Sequence, residues 1–346
     1  MKKVFVALSG GVDSAVAAHK LKKDGWDVVG VFIRVWQPDF LPCSQDEEER
    51  AALRVAAHLG IQFKRLDLSK EYKRDVVDYM IAEYKKGRTP NPDVVCNASI
   101  KFGAFLKYAL EQGADKIATG HHARVRQVDG SFQLLRGIDS SKDQAYFLWR
   151  LTQQELACTL MPIGELTKAQ VREYADTHHM PSARKPDSQG LCFIGAVDMH
   201  TFLKNFIEES PGIVLDEEGK AIGTHSGIEF VTLGQRGGFT ITSKEAHGST
   251  YYVVAKDIKN NTLTVSTQKK DPRSSISEIQ LSSVNEIVPF ANGHRYVCEI
   301  RYHGDPIGCH VKSNNIVLLE EEVIVADGQS LVVYDKEVCV GGGIVG

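Results

Sequence analysis

Ser9-Gly10-Gly11-Val12-Asp13-Ser14 is the stretch on which the fold turns; it follows the apolar run Val4 to Leu8 and leads into a helix-forming segment that reaches Lys23. Glycines let backbone amides come close to phosphate oxygens, and the two serines add hydroxyl donors. The helix start behind them offers oriented N–H groups and the positive end of a dipole. A strand, this loop and a helix in that order make an anion site. It is not a Walker A loop, which needs wider glycine spacing and a lysine followed by Ser or Thr, and it is not GxGxxG, so nicotinamide and flavin readings lose their main support. Asp13 suits two uses from sequence: ordering magnesium or phosphate, or capping the helix start.

Outward from the loop, β-branched runs alternate with helical ones. Val4 to Leu8, Val28 to Val35, Phe63 to Leu68 and Lys116 to Thr119 read as strands; Ser14 to Lys23, Asp46 to Leu59, Lys70 to Tyr84 and Ala98 to Gln112 read as helices. In the last, Ala98, Phe102, Phe105 and Ala109 recur at helical spacing and Gly113 supplies a stop. The acidic run Asp46 to Glu49 suits a first helical turn. The order predicts an α/β domain with a doubly wound parallel sheet, its ligand at the carboxyl ends of the strands. Helices also fit Lys168 to His178 and Ala196 to Glu209, where Met199, Phe202, Leu203 and Phe206 form a core-facing stripe.

Near Pro211-Gly212 the texture becomes short β-like runs: Tyr251 to Ala255, Thr262 to Ser266, Arg295 to Arg301, Ile316 to Leu319 and Ser330 to Tyr334, with Asn260-Asn261 as a hairpin turn. The expected organisation is an α/β unit at 1–210, a small central β-rich unit at 211–275 and a C-terminal β-barrel at 276–346.

The 346 residues exceed a single small core, and 42% hydrophobic with 25% charged residues is ordinary for a globular chain. Apolar stretches fall well short of the ~20 residues that span a bilayer, and Val4 to Leu8 runs into glycines without a signal-peptide cleavage site. The expectation is cytoplasmic, without a membrane. A net charge of −3 offers no global attraction for nucleic acid, so any RNA must be met by local patches. Lys85, Lys86, Arg88, Arg124, Arg126, Arg184 and Lys185 are the candidates for phosphate contact.

The seven cysteines are scattered, odd in number and free of CxxC or CxxH pairs, so neither a disulfide scaffold nor a structural zinc site is indicated. Cys96 closes the proline-stiffened stretch Arg88 to Asn97, read as a loop ending at the Ala98 helix; Cys192 sits between Gly190 and Gly195. A helix N-terminus lowers a thiol pKa, while the default for a cytosolic cysteine is a small buried hydrophobe. Both readings stay open. Asp93 suits proton handling or turn formation.

SGGVDS resembles the loop of the PP-loop ATP pyrophosphatases. Ala7 to Ser14, Thr89 to Asn97, Ile100-Lys101-Phe102, Thr119 to Arg124, Ser141 to Phe147, Asp187 to Gly195, Thr232 to Gly237, Tyr252 to Asn261 and Gly341 to Ile344 together resemble the bacterial and organellar tRNA-specific 2-thiouridylases along nearly the whole chain. The resemblance implies ATP with magnesium, and 2-thiolation of the wobble uridine of tRNA. In it O2 of the base attacks the α-phosphate, pyrophosphate leaves, and a persulfide on Cys192 delivers sulfur while Cys96 closes a transient disulfide with Cys192, Asp93 being the acid/base candidate. It assigns ATP to Ala7, Leu8, Ser9, Gly10, Gly11, Val12, Asp13, Ser14, Ile33 and Gly120, although Gly120 also reads as a plain turn glycine. It assigns tRNA contact to Asn91, Pro92, Asp93, His121, Lys142, Asp143, Gln144, Arg301, Tyr302 and Gln329. It brings two partners, the tRNA anticodon stem-loop and a persulfide donor such as a cysteine desulfurase or sulfur-relay protein. The chain departs from the family pattern at Asn97-Ala98-Ser99, at His122 and at Ala326-Asp327-Gly328-Gln329. The nearest rivals are a tRNA lysidine synthase, a non-catalytic nucleotide-responsive tRNA binder and an iron–sulfur thiolase.

Overall fold

The computed structural model describes residues 1–41, 45–187, 198–243, 248–268, 275–312 and 315–346. Its first sheet is parallel and runs β3-β2-β1-β4-β7, built from β1 (Lys3–Ala7), β2 (Asp27–Arg34), β3 (Gln62–Asp67), β4 (Lys116–Ala118) and β7 (Thr159–Leu160). The first four lie within a residue of the runs read from sequence at each end; the short β7 was not foreseen. Helices cover both faces, so the strands are apolar throughout yet still alternate. Val4, Val6 and Leu8 pack with Val16, Val55 and Val171 on one side. Phe5, Val29 and Val31 pack with Tyr72, Met80, Ile100 and Phe105 on the other.

The chain leaves β1 towards β2 on one side, while β4 lies on the other side of β1. A crevice therefore opens between the carboxyl ends of β1 and β4. Into it run Leu8 to Gly11, continuing as the helix Val12–Lys23, and Thr119 to His122.

Three helices differ from their sequence reading. Residues 69–85 form one helix with a π segment at Lys73–Val77, and 92–111 form another with a π segment at Cys96–Ala104. The second begins at Pro92, not near Ala98: Asn91 is its N-cap and proline occupies the first turn, where a missing N–H costs nothing. Cys96 therefore lies inside a helix rather than in a loop before it. The helix expected at 196–209 is confined to Met199–Leu203, capped by Asp198 accepting from the Thr201 amide at 3.0 Å; Ala196 and Val197 lie outside the described residues.

The second sheet runs β10-β9-β8-β12-β11: β8 (Gly212–Leu215), β9 (Ala221–His225), β10 (Phe239–Ile241), β11 (Tyr252–Asp257) and β12 (Thr262–Ser266). β11 and β12 are antiparallel and turn at Asn260-Asn261, as read from sequence. Lys256 anchors this sheet to the first part of the chain, donating to Gly87 O at 2.9 Å and Val231 O at 2.6 Å.

The third sheet closes on itself. β13 (Ile276–Glu286), β16 (Ile316–Val323), β15 (Ile307–Lys312), β14 (Arg295–Glu299), β17 (Ser330–Asp335) and β18 (Val338–Val345) form an antiparallel barrel through the β13–β18 pairing. A hairpin of β5 (Ala123–Val128) and β6 (Ser131–Arg136) adds to β18, with Cys339 opposite Leu134. That hairpin belongs in sequence to the α/β part, where the reading placed no element. Its partner strand is some two hundred residues away, so its sheet has no local signature. Among the described residues no helix is long and apolar enough to cross a membrane.

Candidate active site

A cavity of about 280 Å³ occupies the crevice between β1 and β4. Ala7, Leu8, Ser9 and Ser14 form one wall, Ile33 comes from β2, and Gly120 and His121 follow β4. Cys96, Ile100 and Lys101 face it from the helix at 92–111, with Gln144 at the rim.

The phosphate loop is held by its own hydroxyls and by a neighbouring helix. Ser14 Oγ accepts from the Ser9 amide at 3.3 Å and donates to Gly11 O at 3.2 Å, while Ser9 Oγ accepts from the Gly11 amide at 3.4 Å. Gly10 has φ +72°, and a Cβ there would sit 2.7 Å from Ala51 Cβ and 2.9 Å from Glu48 O on helix Gln45–Leu59. The N-cap residue Gly11 has no side chain to cap the helix behind it, as suits an anion site. Gly120 is more than a turn glycine. A Cβ on it would lie 2.6 Å from Ser14 N and 2.8 Å from Asp13 C, so the absent side chain lets the strand end approach the loop helix.

Asp13 is not a cap. Its carboxylate accepts from Lys168 Nζ at 2.7 and 2.8 Å and from His122 Nε2 at 3.3 Å. Burial alone would push this carboxyl up, but the bonds from His122 and Lys168 outweigh it and hold the acid below its ordinary range. Lys168 also pairs with Asp187 at 2.9 Å, and Asp187 in turn takes Arg172 at 2.7 Å and Lys142 at 3.2 Å. A chain of alternating charges thus runs from the phosphate loop to the residue preceding 188–197, a stretch outside the described residues that includes Cys192.

Cys96 is buried and opens onto the cavity. Being the fifth residue of its helix, it lies past the first-turn amides whose field was expected to act on it. Half-buried Asp93 precedes it by three residues; burial pushes its carboxyl up, and the charge on Lys101 offsets part of that. His121 is buried, with Nδ1 2.8 Å from Thr119 Oγ1 and Nε2 3.5 Å from Lys101 Nζ. Burial, then the charge on Lys101, holds its pKa well below the ordinary histidine value, so the ring is neutral near pH 7.

Three family models cover the chain in succession: a tRNA methyl transferase HUP domain at residues 2–196, a tRNA methyl transferase PRC-barrel domain at 200–267 and an aminomethyltransferase beta-barrel domain at 276–345. Full-length relatives include proteins of Ralstonia pickettii at 43% identity, covering 99% of this chain and 96% of theirs, and of Geobacillus kaustophilus at 42%, covering 99% and 95%. A third, from Proteus mirabilis, is 41% identical over 99% of this chain and 97% of its own. All three carry the name tRNA-specific 2-thiouridylase. The chain belongs to that family.

Most of the residues that the thiouridylase resemblance points to fall into three groups. Ala7, Leu8, Ser9, Ser14, Ile33, Gly120, Cys96, His121 and Gln144 line one cavity, with Gly10, Gly11, Val12 and Asp13 forming the rest of the loop beside it. A second group joins the barrel to the helix start: Ser330 N donates to Asn91 Oδ1 at 2.6 Å, Gln329 Nε2 donates to Thr89 O at 3.3 Å, and Pro92 is buried beside them. Asp143 belongs with the interior, accepting from Gly137 N at 2.9 Å, Ala145 N at 3.1 Å and Arg136 at 2.9 Å. The third group reaches solvent. Lys142 is part-exposed, Arg301 is exposed with one bond to Leu233 O, and Tyr302 is 39% exposed over the Phe147 ring at 4.3 Å. Of the basic candidates, Arg124 on the hairpin pairs with Glu337 at 2.6 Å, whereas Arg88 and Lys86 pair with Glu83.

Sequence reasoning missed Lys101, His122 and Lys168. Lys101 lay within a segment already singled out, and its distance of five residues from Cys96 is informative only once the helix is known to be wound as π. Lys168 carried no local signal.

Proposed function

We propose that the chain places sulfur at C2 of the wobble uridine of tRNA in two stages, both conducted in the cavity between the phosphate loop and Cys96. The observation carrying this is that one chamber is lined by Ser9, Ser14 and Gly120 on one side and by the Cys96 thiol on the other. ATP fits the first wall: the loop's glycines and hydroxyls, the open first turn behind Gly11 and the small Gly120 are what triphosphate oxygens need. Magnesium would neutralise phosphate charge when bound; the Asp13 carboxylate, engaged on both oxygens by Lys168, offers it no free ligand.

In the first stage, uridine O2 attacks the α-phosphorus, the bond to the β-phosphate oxygen breaks, and pyrophosphate leaves. C2 is then attached to a good leaving group. In the second, the terminal sulfur of a Cys192 persulfide attacks C2 and AMP departs. The Cys96 thiolate attacks Cys192 Sγ, breaking the S–S bond, so 2-thiouridine is released and a Cys96–Cys192 disulfide remains. An external dithiol reduces that disulfide, and a cysteine desulfurase or sulfur-relay protein reloads the persulfide. Asp93, its carboxyl raised by burial, is the proton carrier beside Cys96. The target base must leave the anticodon stack to enter the chamber. Lys142, Arg301 and Tyr302 are its exposed tRNA contacts, while Asn91, Pro92 and Gln329 stand at the joint between the barrel and the helix start. Residues 1–210 then carry the chemistry and 276–346 help hold the RNA.

Incubation with ATP, tRNA and a persulfide source, followed by nucleoside analysis, tests the scheme. Wild type yields 2-thiouridine, and neither Cys96→Ser nor Cys192→Ser does. Full activity in either variant removes the two-thiol mechanism, and absence of pyrophosphate release from wild type removes the adenylation step.

A further inference from the structure

Lys101 is the one cation among the described residues lining the cavity. It stands five residues after Cys96. In α geometry five residues turn through about 500°, which would leave the two side chains about 140° apart on the helix. The π segment Cys96–Ala104 is wound with i to i+5 hydrogen bonding, which brings residue 101 round beneath residue 96, and both face the chamber.

The placement of its ammonium follows from hydrogen-bond chemistry. An ammonium only donates, so His121 Nε2, 3.5 Å away, is the acceptor. The ring proton is then on Nδ1 and donates to Thr119 Oγ1 at 2.8 Å. His121, neutral and packed on the Phe102 ring at 5.7 Å, holds Lys101 without cancelling its charge.

Resting on the two-thiol reading above, we propose that Lys101 is a positioning residue that stabilises the Cys96 thiolate electrostatically, taking the part a helix N-terminus would have played. Among the described residues, the titratable side chains lining the cavity with Cys96 are Glu48, Tyr72, Lys101 and His121, and Asp93 lies one turn earlier on its own helix. Glu48 and Asp93 oppose a thiolate and Lys101 favours it. Burial raises the Asp93 carboxyl, which weakens its opposition. A π segment that turns a lysine under a cysteine gives the fold a reason for this rare winding.

The test is the pH dependence of Cys96 alkylation by iodoacetamide, read by peptide mass spectrometry on the full-length Cys192→Ser protein without ATP or tRNA. An opposite charge on a neighbouring side chain moves a titratable group by about one to two pH units. In Lys101→Met the inflection moves up by that amount and labelling near neutral pH slows at least tenfold; Lys101→Arg, which keeps the charge, restores most of it. Asp93→Asn moves the inflection down. Coincident profiles for wild type and Lys101→Met overturn the proposal, as does Lys101→Arg tracking Lys101→Met. If Lys101→Met loses its native circular dichroism, Lys101→Gln, which keeps hydrogen bonding but no charge, is read in its place by the same criteria. Because the titration needs no substrate, its failure is distinct from failure of the two-stage reaction, which pyrophosphate release in the wild type reads separately.

Discussion

Replacing Gly120 by alanine tests the geometry of the chamber most directly. The added Cβ would stand 2.6 Å from Ser14 N and 2.8 Å from Asp13 C, where ordinary contact begins at 3.4 Å. The shortfall against Ser14 N is about 0.8 Å, and both neighbours are backbone, so no rotamer change relieves it. The helix Val12–Lys23 cannot retreat cheaply, since Val12, Ala15, Val16 and Ala18 are buried against the sheet and its outer helices. Residues 119–121 must therefore move, carrying His121 and one cavity wall away from the phosphate loop. Overpacking of this kind costs about 1–3 kcal/mol of stability. A misplacement near 1 Å at a reacting centre costs on the order of a hundredfold in rate. Urea unfolding of the free protein and pyrophosphate release with saturating tRNA measure the two effects, with Gly237→Ala as the control because nothing lies within 4 Å of a Cβ there. Retention of wild-type ATP affinity and pyrophosphate release to within threefold in Gly120→Ala would refute the reasoning.

Lys168→Met removes the bridge between Asp13 and Asp187; with both carboxylates about 30% exposed, a stability loss of about 1–3 kcal/mol is expected rather than the full cost of a dry pair, together with at least tenfold slower pyrophosphate release, read by coupled phosphate assay. Arg136 pairs with Asp143 at 2.9 Å and Glu299 at 2.6 Å and lies over the Tyr334 ring at 3.5 Å; Arg136→Met strands two buried carboxylates and should cost about 3–5 kcal/mol in urea unfolding, with a raised KM for tRNA because Lys142 and Tyr302 flank the pair. Lys256 is pushed by burial down to about 8 from 10.5, so between those values the unfolded chain holds a proton that the native one lacks. Its contribution to stability is thus unfavourable below about pH 8 and is relieved as pH rises towards 10.5, by about 1–3 kcal/mol. Wild type should gain that much on Lys256→Gln across this window in denaturant titrations, and parallel curves would contradict the assignment.

Much of the fold was legible. β1 to β4 and the helix at 12–23 announce themselves because each buries apolar residues at a regular period and is bounded by glycine or charge. The loop was legible as an anion site because its glycines and serines are contiguous in the chain. The hairpin β5–β6 was not, since its edge is satisfied only by β18. Nor was β18 itself, whose Val338 to Val345 carries three consecutive glycines that weigh against a strand on propensity. The start of the Cys96 helix was misplaced because Pro90 and Pro92 read as loop, whereas a first-turn proline is compatible with a helix that begins there.

The sequence by itself determined what is local: a phosphate loop on a strand-to-helix turn, the parallel sheet behind it, the β-rich second half, and through its motifs the family. Tertiary structure alone decided which distant groups share a charge or a wall. Asp13 turned from a possible cap into one end of a relay through Lys168 to Asp187. Asn91 and Gln329 became joints to the barrel, and Lys101 came to lie under Cys96. Hydrogen bonds and Coulomb energies act over a few ångströms, and the chain positions that meet at those distances are 155 residues apart for Asp13 and Lys168 and 239 for Asn91 and Ser330. No period or propensity in the sequence encodes such a meeting; only the packing of the sheets does.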